Sequence, residues 1–155
     1  MRDDAAWMEE ALTEARRAAE LGEVPVGAVV VRGGEIVGRG HNRREVDGDP
    51  LAHAEMLALR EASAEVDGWR LDGATMFVTL EPCAMCAGAL VLSRVDRLVF
   101  GARDPKAGFC GSLGNLVADS RLNHRIQVSE GVGSEAAARL LRGFFARMRE
   151  RRAVL

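Results

Sequence analysis

The chain has 155 residues, 48% hydrophobic and 28% charged, with a formal net charge of −2. That is the profile of an ordinary soluble globular protein, expected as one domain over residues 1–155, and it excludes a nucleic-acid binder that works through bulk positive charge. No apolar run approaches the ~20 residues needed to cross a bilayer, and the acidic Met1-Arg2-Asp3-Asp4 start lacks the apolar core of a secretory signal.

Asp3 or Asp4 is placed to cap a first helix, in which Met8, Leu12, Ala15 and Ala19 recur at helical spacing and which Gly22 ends. Its polar face, with Glu9, Glu14 and Arg16, reads as solvent-facing. Residues 26–31 form an unbroken run of mostly β-branched residues, expected as a strand buried on both faces, with Pro25 at its start. Gly33-Gly34 turns the chain and residues 35–40 return as a hairpin partner. A polar loop, 41–49, leads to Asp49-Pro50, which reads as the cap and first position of a second helix carrying Leu51, Ala54, Leu57 and Ala58. That places His53 in its first turn. Residues 75–80 are a third strand. Helix resumes at Pro82 and runs through the apolar stretch 84–92. Residues 97–100 are a fourth strand, 101–123 a long segment with one helical turn near 113–117, and 125–129 a fifth strand. Ser134 caps a last helix whose apolar stripe is Leu141, Phe144, Phe145 and Met148. An opening hairpin followed by alternating strands and helices predicts an α/β chain, a five-stranded mixed sheet sandwiched between helices in three layers.

Charge is unevenly spread. The first twenty residues hold three arginines against six acids. The last helix holds six arginines against two glutamates, which suits either a phosphate-tracking face or a plain solvated one.

Three cysteines, two of them in Cys83-Ala84-Met85-Cys86, fit a reducing compartment, the cytoplasm, and a metal or redox site better than a disulfide framework. Cys83 and Cys86, three apart at a helix start, put both sulfurs on one face. His53 supplies a third donor, and zinc held by three protein ligands keeps one position open for an activated water. Glu55, two residues beyond His53, is the candidate to move that water's proton. A redox dithiol lacks any need for a distant His-x-Glu. A structural zinc needs a fourth protein ligand, for which Cys110, His41 or His124 is available. His-x-Glu with Pro-Cys-x-x-Cys marks the zinc nucleobase deaminases, which remove an exocyclic amine by hydrolysis.

Beyond this motif the chain resembles the bacterial tRNA-specific adenosine deaminases of the cytidine deaminase-like superfamily. The likeness runs through Val24-Pro25-Val26-Gly27-Ala28, His53-Ala54-Glu55, Thr79-Leu80-Glu81-Pro82-Cys83, Gly101-Ala102-Arg103-Asp104, Asn123-His124-Arg125 and Phe144-Phe145. It implies a cytidine deaminase-like fold and conversion of adenosine to inosine at the wobble position of an arginine tRNA with an ACG anticodon. It also implies a homodimer, one Zn²⁺ per subunit, and the tRNA anticodon stem-loop as partner. Carried over by motif, His53, Cys83 and Cys86 are the ligands, Glu55 shuttles the proton, Asn42 reads the base edge, and Asp104, Asn123 and Phe145 contact the substrate. Their bland alternatives are an Asx-turn for Asn42, turn chemistry around Pro105 for Asp104 and a strand cap for Asn123. Gly108-Phe109-Cys110-Gly111 and Arg43-Arg44 depart from the resembled pattern. A free-base deaminase such as a guanine deaminase, and a non-catalytic zinc-stabilised RNA-binding subunit, are the competing readings.

Overall fold

The structure is a computed structural model that describes residues 2–154, so the end residues of the expected domain, Met1 and Leu155, lie outside it. Helix α1 (Asp4–Glu20) is capped by Asp3, whose carboxylate accepts from the Ala6 N–H at 2.9 Å. Strands β1 (Gly27–Arg32) and β2 (Glu35–His41) pair antiparallel across the Gly33-Gly34 turn, where both glycines hold positive φ. A four-residue helix, α2 (Arg44–Asp47), follows where a polar loop is expected. Helix α3 (Ala54–Val66), strand β3 (Thr75–Leu80), helix α4 (Ala84–Leu92), strands β4 (Arg97–Ala102) and β5 (Gln127–Glu130), and helix α5 (Ser134–Val154) complete the chain.

The sheet order is β2-β1-β3-β4-β5, antiparallel through β3 and parallel from β3 to β5. Alternation along the strands divides the core in two. Ala28, Val30, Met76, Val78, Leu98 and Phe100 pack under α3 and α4, while Val29, Val31, Phe77 and Val99 pack under α1 and α5. The three-layer α/β/α sandwich with a five-stranded mixed sheet is therefore as expected.

Strand β2 lies so close to α3 that the side-chain position at Gly40 falls on the Ala54 carbonyl and the Ala58 N–H. Only glycine fits, and this contact sets where the N-terminus of α3 sits.

Several local expectations are corrected. Helix α3 begins at Ala54, not at Pro50, because His53 is its extended cap residue (φ −79°, ψ 151°). Asp49 still closes a turn, accepting from the Leu51 N–H at 2.9 Å, and Leu51 is exposed. Helix α4 likewise begins after Cys83, so Pro82 precedes the helix. Glu14 is buried, not solvent-facing: it accepts from Arg17, Arg39 and His41, the last two from β2. Residues 113–117 make turns and a bridge between Cys110 and Asn115 in place of a helical turn. On α5 the core side is Ala136, Ala137, Leu140 and Phe144, and Phe145 is 43% exposed.

Candidate active site

The site forms where two helix N-termini meet beyond the carboxyl end of β3, the usual place for a ligand in an open α/β sheet. His53 and Cys83 are the cap residues of α3 and α4, and Cys86 is buried in the first turn of α4. Their donor atoms lie within 4.8 Å of one another, and no other such group of metal-binding side chains is found among the described residues. The His53 Nδ1 is 3.6 Å from each sulfur. Tetrahedral zinc with Zn–N about 2.05 Å and Zn–S about 2.3 Å sets the N···S edge at about 3.6 Å, so the triad is consistent with a zinc site.

The remaining candidates for a fourth protein ligand are occupied elsewhere. His41 Nδ1 pairs with Glu14 at 3.0 Å, the His124 ring nitrogen Nε2 meets the Val95 carbonyl at 2.6 Å, and Cys110 is buried in the core under α3 and α4. The three-donor set is left with an open side. That side faces a cavity of about 210 Å³ lined by Val24, Val26, Asn42, Arg44, Glu55, Leu80 and Asp104, among others. Drug-sized ligands use roughly 300–1,000 Å³, so this cavity suits a single heterocycle.

Glu55 sits in the first turn of α3 and is 4% exposed. Burial pushes its carboxyl up to about 7. The Cys83 sulfur is held down at about 3, first by the Cys86 thiol that donates to it and then, against burial, by His53. Its place at the positive end of α4 favours the same thiolate form.

Asn42 lines the cavity with its amide fixed at both ends. Its Nδ2 donates to the Val24 carbonyl at 3.2 Å and its Oδ1 accepts from the Arg44 N–H at 3.1 Å. The Asx-turn and the pocket position thus coexist. One N–H and one lone pair of that amide stay free. Asp104 also lines the cavity and also makes turn chemistry, accepting from the Lys106 and Ala107 N–H groups at 3.1 and 3.2 Å. Asn123 and Phe145 do not line it; both are exposed elsewhere, Phe145 edge-on to Phe144 with ring centroids 5.4 Å apart.

Glu81 is a member of the site to which sequence reasoning assigned no role. It is buried, and its carboxylate accepts from the N–H groups of Asp104, Cys110 and Ser112, each at 3.0 Å, and from the Ser112 hydroxyl. Burial pushes this carboxyl up, but those four donors outweigh it and hold it below the ordinary carboxylate range. Gly108 packs on it so closely that a side chain there would overlap the carboxylate. The departure at 108–111 is thus wrapped around a buried anion, and the backbone bridge from Gly108 to Cys83 ties that loop to a candidate ligand. The one sequence signal was an acid directly after an apolar strand.

The MafB19-like deaminase family model matches residues 2–149. A tRNA-specific adenosine deaminase of Bacillus subtilis (strain 168) is 51% identical over 152 residues, covering 98% of this chain and 94% of the relative. The protein of the same name from Aquifex aeolicus (strain VF5) is 47% identical over 143 residues, covering 92% and 94%. A solved structure from work on A-to-I editing by tRNA:A34 deaminases at the wobble position superposes with a TM-score of 0.84 at 41% identity, covering 88% of this chain and 99% of that one. A guanine deaminase from Nitrosomonas europaea superposes with a TM-score of 0.81 at 30% identity, covering 94% and 86%. Matched almost end to end, and about half identical to such relatives, the chain belongs to the tRNA-specific adenosine deaminases within the MafB19-like deaminase family.

Proposed function

We propose that the protein hydrolyses adenosine to inosine at the wobble position of a tRNA anticodon, with an arginine tRNA bearing ACG as substrate. The observation that carries the reading is the His53, Cys83, Cys86 triad opening on a one-heterocycle cavity with a buried Glu55 beside it. Zinc, held by those three residues, supplies Lewis acidity that lets water act as a nucleophile near neutral pH. Glu55 takes a proton from water as its oxygen bonds to the carbon bearing the amine, and delivers that proton to the adjacent ring nitrogen. It then carries the remaining hydroxyl proton to the amino nitrogen, so that the C–N bond breaks, ammonia leaves and a carbonyl remains. Its carboxyl, raised to about 7 by burial, suits both halves of that transfer. Asn42 presents its free N–H and lone pair to the purine edge. Asp104, Asn123 and Phe145 contact the flanking anticodon.

Recognition of RNA fits the outer surface. Six arginines of α5, at 139, 142, 147, 149, 151 and 152, are all exposed, and the exposed Phe145 lies among them as a stacking surface. The rest of the reading is one domain over the whole chain, one zinc per subunit, a cytoplasmic enzyme and a homodimer. The dimer is supported by the exposed Leu92 and Trp69 beside α4. No helix among the described residues is long and apolar enough to cross a membrane.

The likeness to a guanine deaminase makes free guanine the relevant competitor substrate. Zinc-loaded protein is incubated with an ACG stem-loop, with free guanine and with free cytidine, and inosine is mapped by sequencing while ammonia is measured. Inosine at the wobble position is the expected result. Ammonia from guanine or cytidine with an unchanged stem-loop would refute the reading.

A further inference from the structure

One wall of the cavity is built from two short segments, 23–26 and 42–46, that are laced together. The Asn42 N–H donates to the Val26 carbonyl at 3.1 Å, its side-chain amide to the Val24 carbonyl, and the Arg44 N–H to the Asn42 side-chain oxygen. At the foot of this wall lies Glu23, 1% exposed. Its two carboxylate oxygens accept one backbone N–H each, from Glu45 at 3.1 Å and Val46 at 2.8 Å. These are first-turn donors of α2, a helix whose own cap residue, Arg43, gives no side-chain capping hydrogen bond. Arg43 is committed to Asp47 at 3.0 Å. Glu23 is therefore a buried carboxylate spent on two backbone N–H groups 22 and 23 residues away. Burying a charge for a four-residue exposed helix is a poor stability exchange. What it does secure is the orientation of the segment that carries Asn42 and Arg44 into the cavity.

We propose that Glu23 is a positioning residue for the deamination, acting through Asn42. The inference rests on the proposed function, and touches neither the metal donors nor Glu55. With Glu23 in place, the turn at 42–46 has one conformation, the Asn42 amide keeps its Val24 and Arg44 bonds, and its free N–H and lone pair aim into the cavity. With Gln there, one of the two backbone donors faces an amide nitrogen and loses its acceptor.

The test is a double-mutant cycle on zinc-loaded full-length protein with an ACG stem-loop, using wild type, Glu23→Gln, Asn42→Ala and the double variant. E23Q is expected to lower kcat/KM about tenfold, the scale of one lost charge-assisted bond, with zinc content unchanged. In the double variant kcat/KM is expected to match that of N42A alone, because a residue that acts only through Asn42 has nothing left to position. Losses that multiply would overturn the proposal and leave Glu23 a structural cap. If N42A turns over too slowly, stem-loop Kd values supply the same cycle with the same two outcomes. A wild type that leaves the stem-loop unchanged defeats the proposed function, and this inference with it; multiplying losses in active proteins defeat only the inference.

Discussion

Replacing Gly40 by alanine tests how the sheet places the site. The added methyl would fall on the Ala54 carbonyl and the Ala58 N–H, backbone atoms that no rotamer change can move. Ordinary contact is restored only if the first turn of α3 retreats by on the order of an ångström. Overpacking of this kind costs about 1–3 kcal/mol, and a backbone obstacle puts Gly40→Ala in the upper half of that range. In a chain of this length that is a fall in Tm of roughly 5–10 °C. The retreat also carries His53 and Glu55, which flank Ala54. A displacement of about 1 Å at catalytic groups costs up to ~10²-fold in rate. Stability is read by thermal melts, metal content by elemental analysis and activity by inosine formation. Gly68→Ala, with nothing within 4 Å of its side-chain position, is the control. If G40A melts and turns over like the wild type, α3 is not seated by this contact.

Other outcomes follow from the same structure. Glu55→Ala is expected to lose inosine formation by at least ~10²-fold while keeping its zinc, the signature of a lost proton carrier; undiminished turnover would end that role. Cys83→Ala is expected to lose metal and stability together, melting where chelator-treated wild type melts; full zinc occupancy in the variant would contradict ligation. Arg97 makes a two-pronged pair with Asp4, at 2.8 and 2.6 Å, whose guanidinium bonds hold that carboxyl below its ordinary value near 3.8. The stability this contributes is present above that ordinary value and lost as pH falls through the depressed one. Arg97→Met should therefore cost about 1 kcal/mol at pH 7, and its urea midpoint should converge with the wild type in acid; a gap that persists there would point to lost packing instead. Gly88→Ala, inside α4 with nothing within 4 Å of the new methyl, should stabilise by about 0.5–1 kcal/mol, checked by urea denaturation.

The parts of this protein that sequence reveals are those whose cause is local. Residues 26–31 and 75–80 read as strands because β-branched and apolar residues dominate both runs, and the strands found there are Gly27–Arg32 and Thr75–Leu80. The candidate donors read as a set because Cys83 and Cys86 are one helical turn apart and His53 brings a carboxylate two residues on. What stayed hidden depends on partners far along the chain. Glu14 has the helical spacing of a surface acid, and only Arg39 and His41, 25 and 27 residues later, make it a buried one. Glu81 gathers donors 23 to 31 residues away. The Asp49-Pro50 pair carries every local mark of a helix start, yet α3 begins at Ala54. The close approach of β2, permitted by Gly40, fixes that end from outside the helix.

The division of the core into two layers has a consequence for how this protein can change over generations. Val29 and Val30 are neighbours on one strand, equally buried, yet they face different helices. A smaller residue at Val30 disturbs the layer beneath α3 and α4, which carry the metal donors, so folding and chemistry suffer together. The same change at Val29 relaxes the layer beneath α1 and α5, where no candidate ligand is anchored. Drift is freer in that second layer, limited by the stability margin alone, and a comparison of homologues should find the two faces of a single strand evolving at different rates.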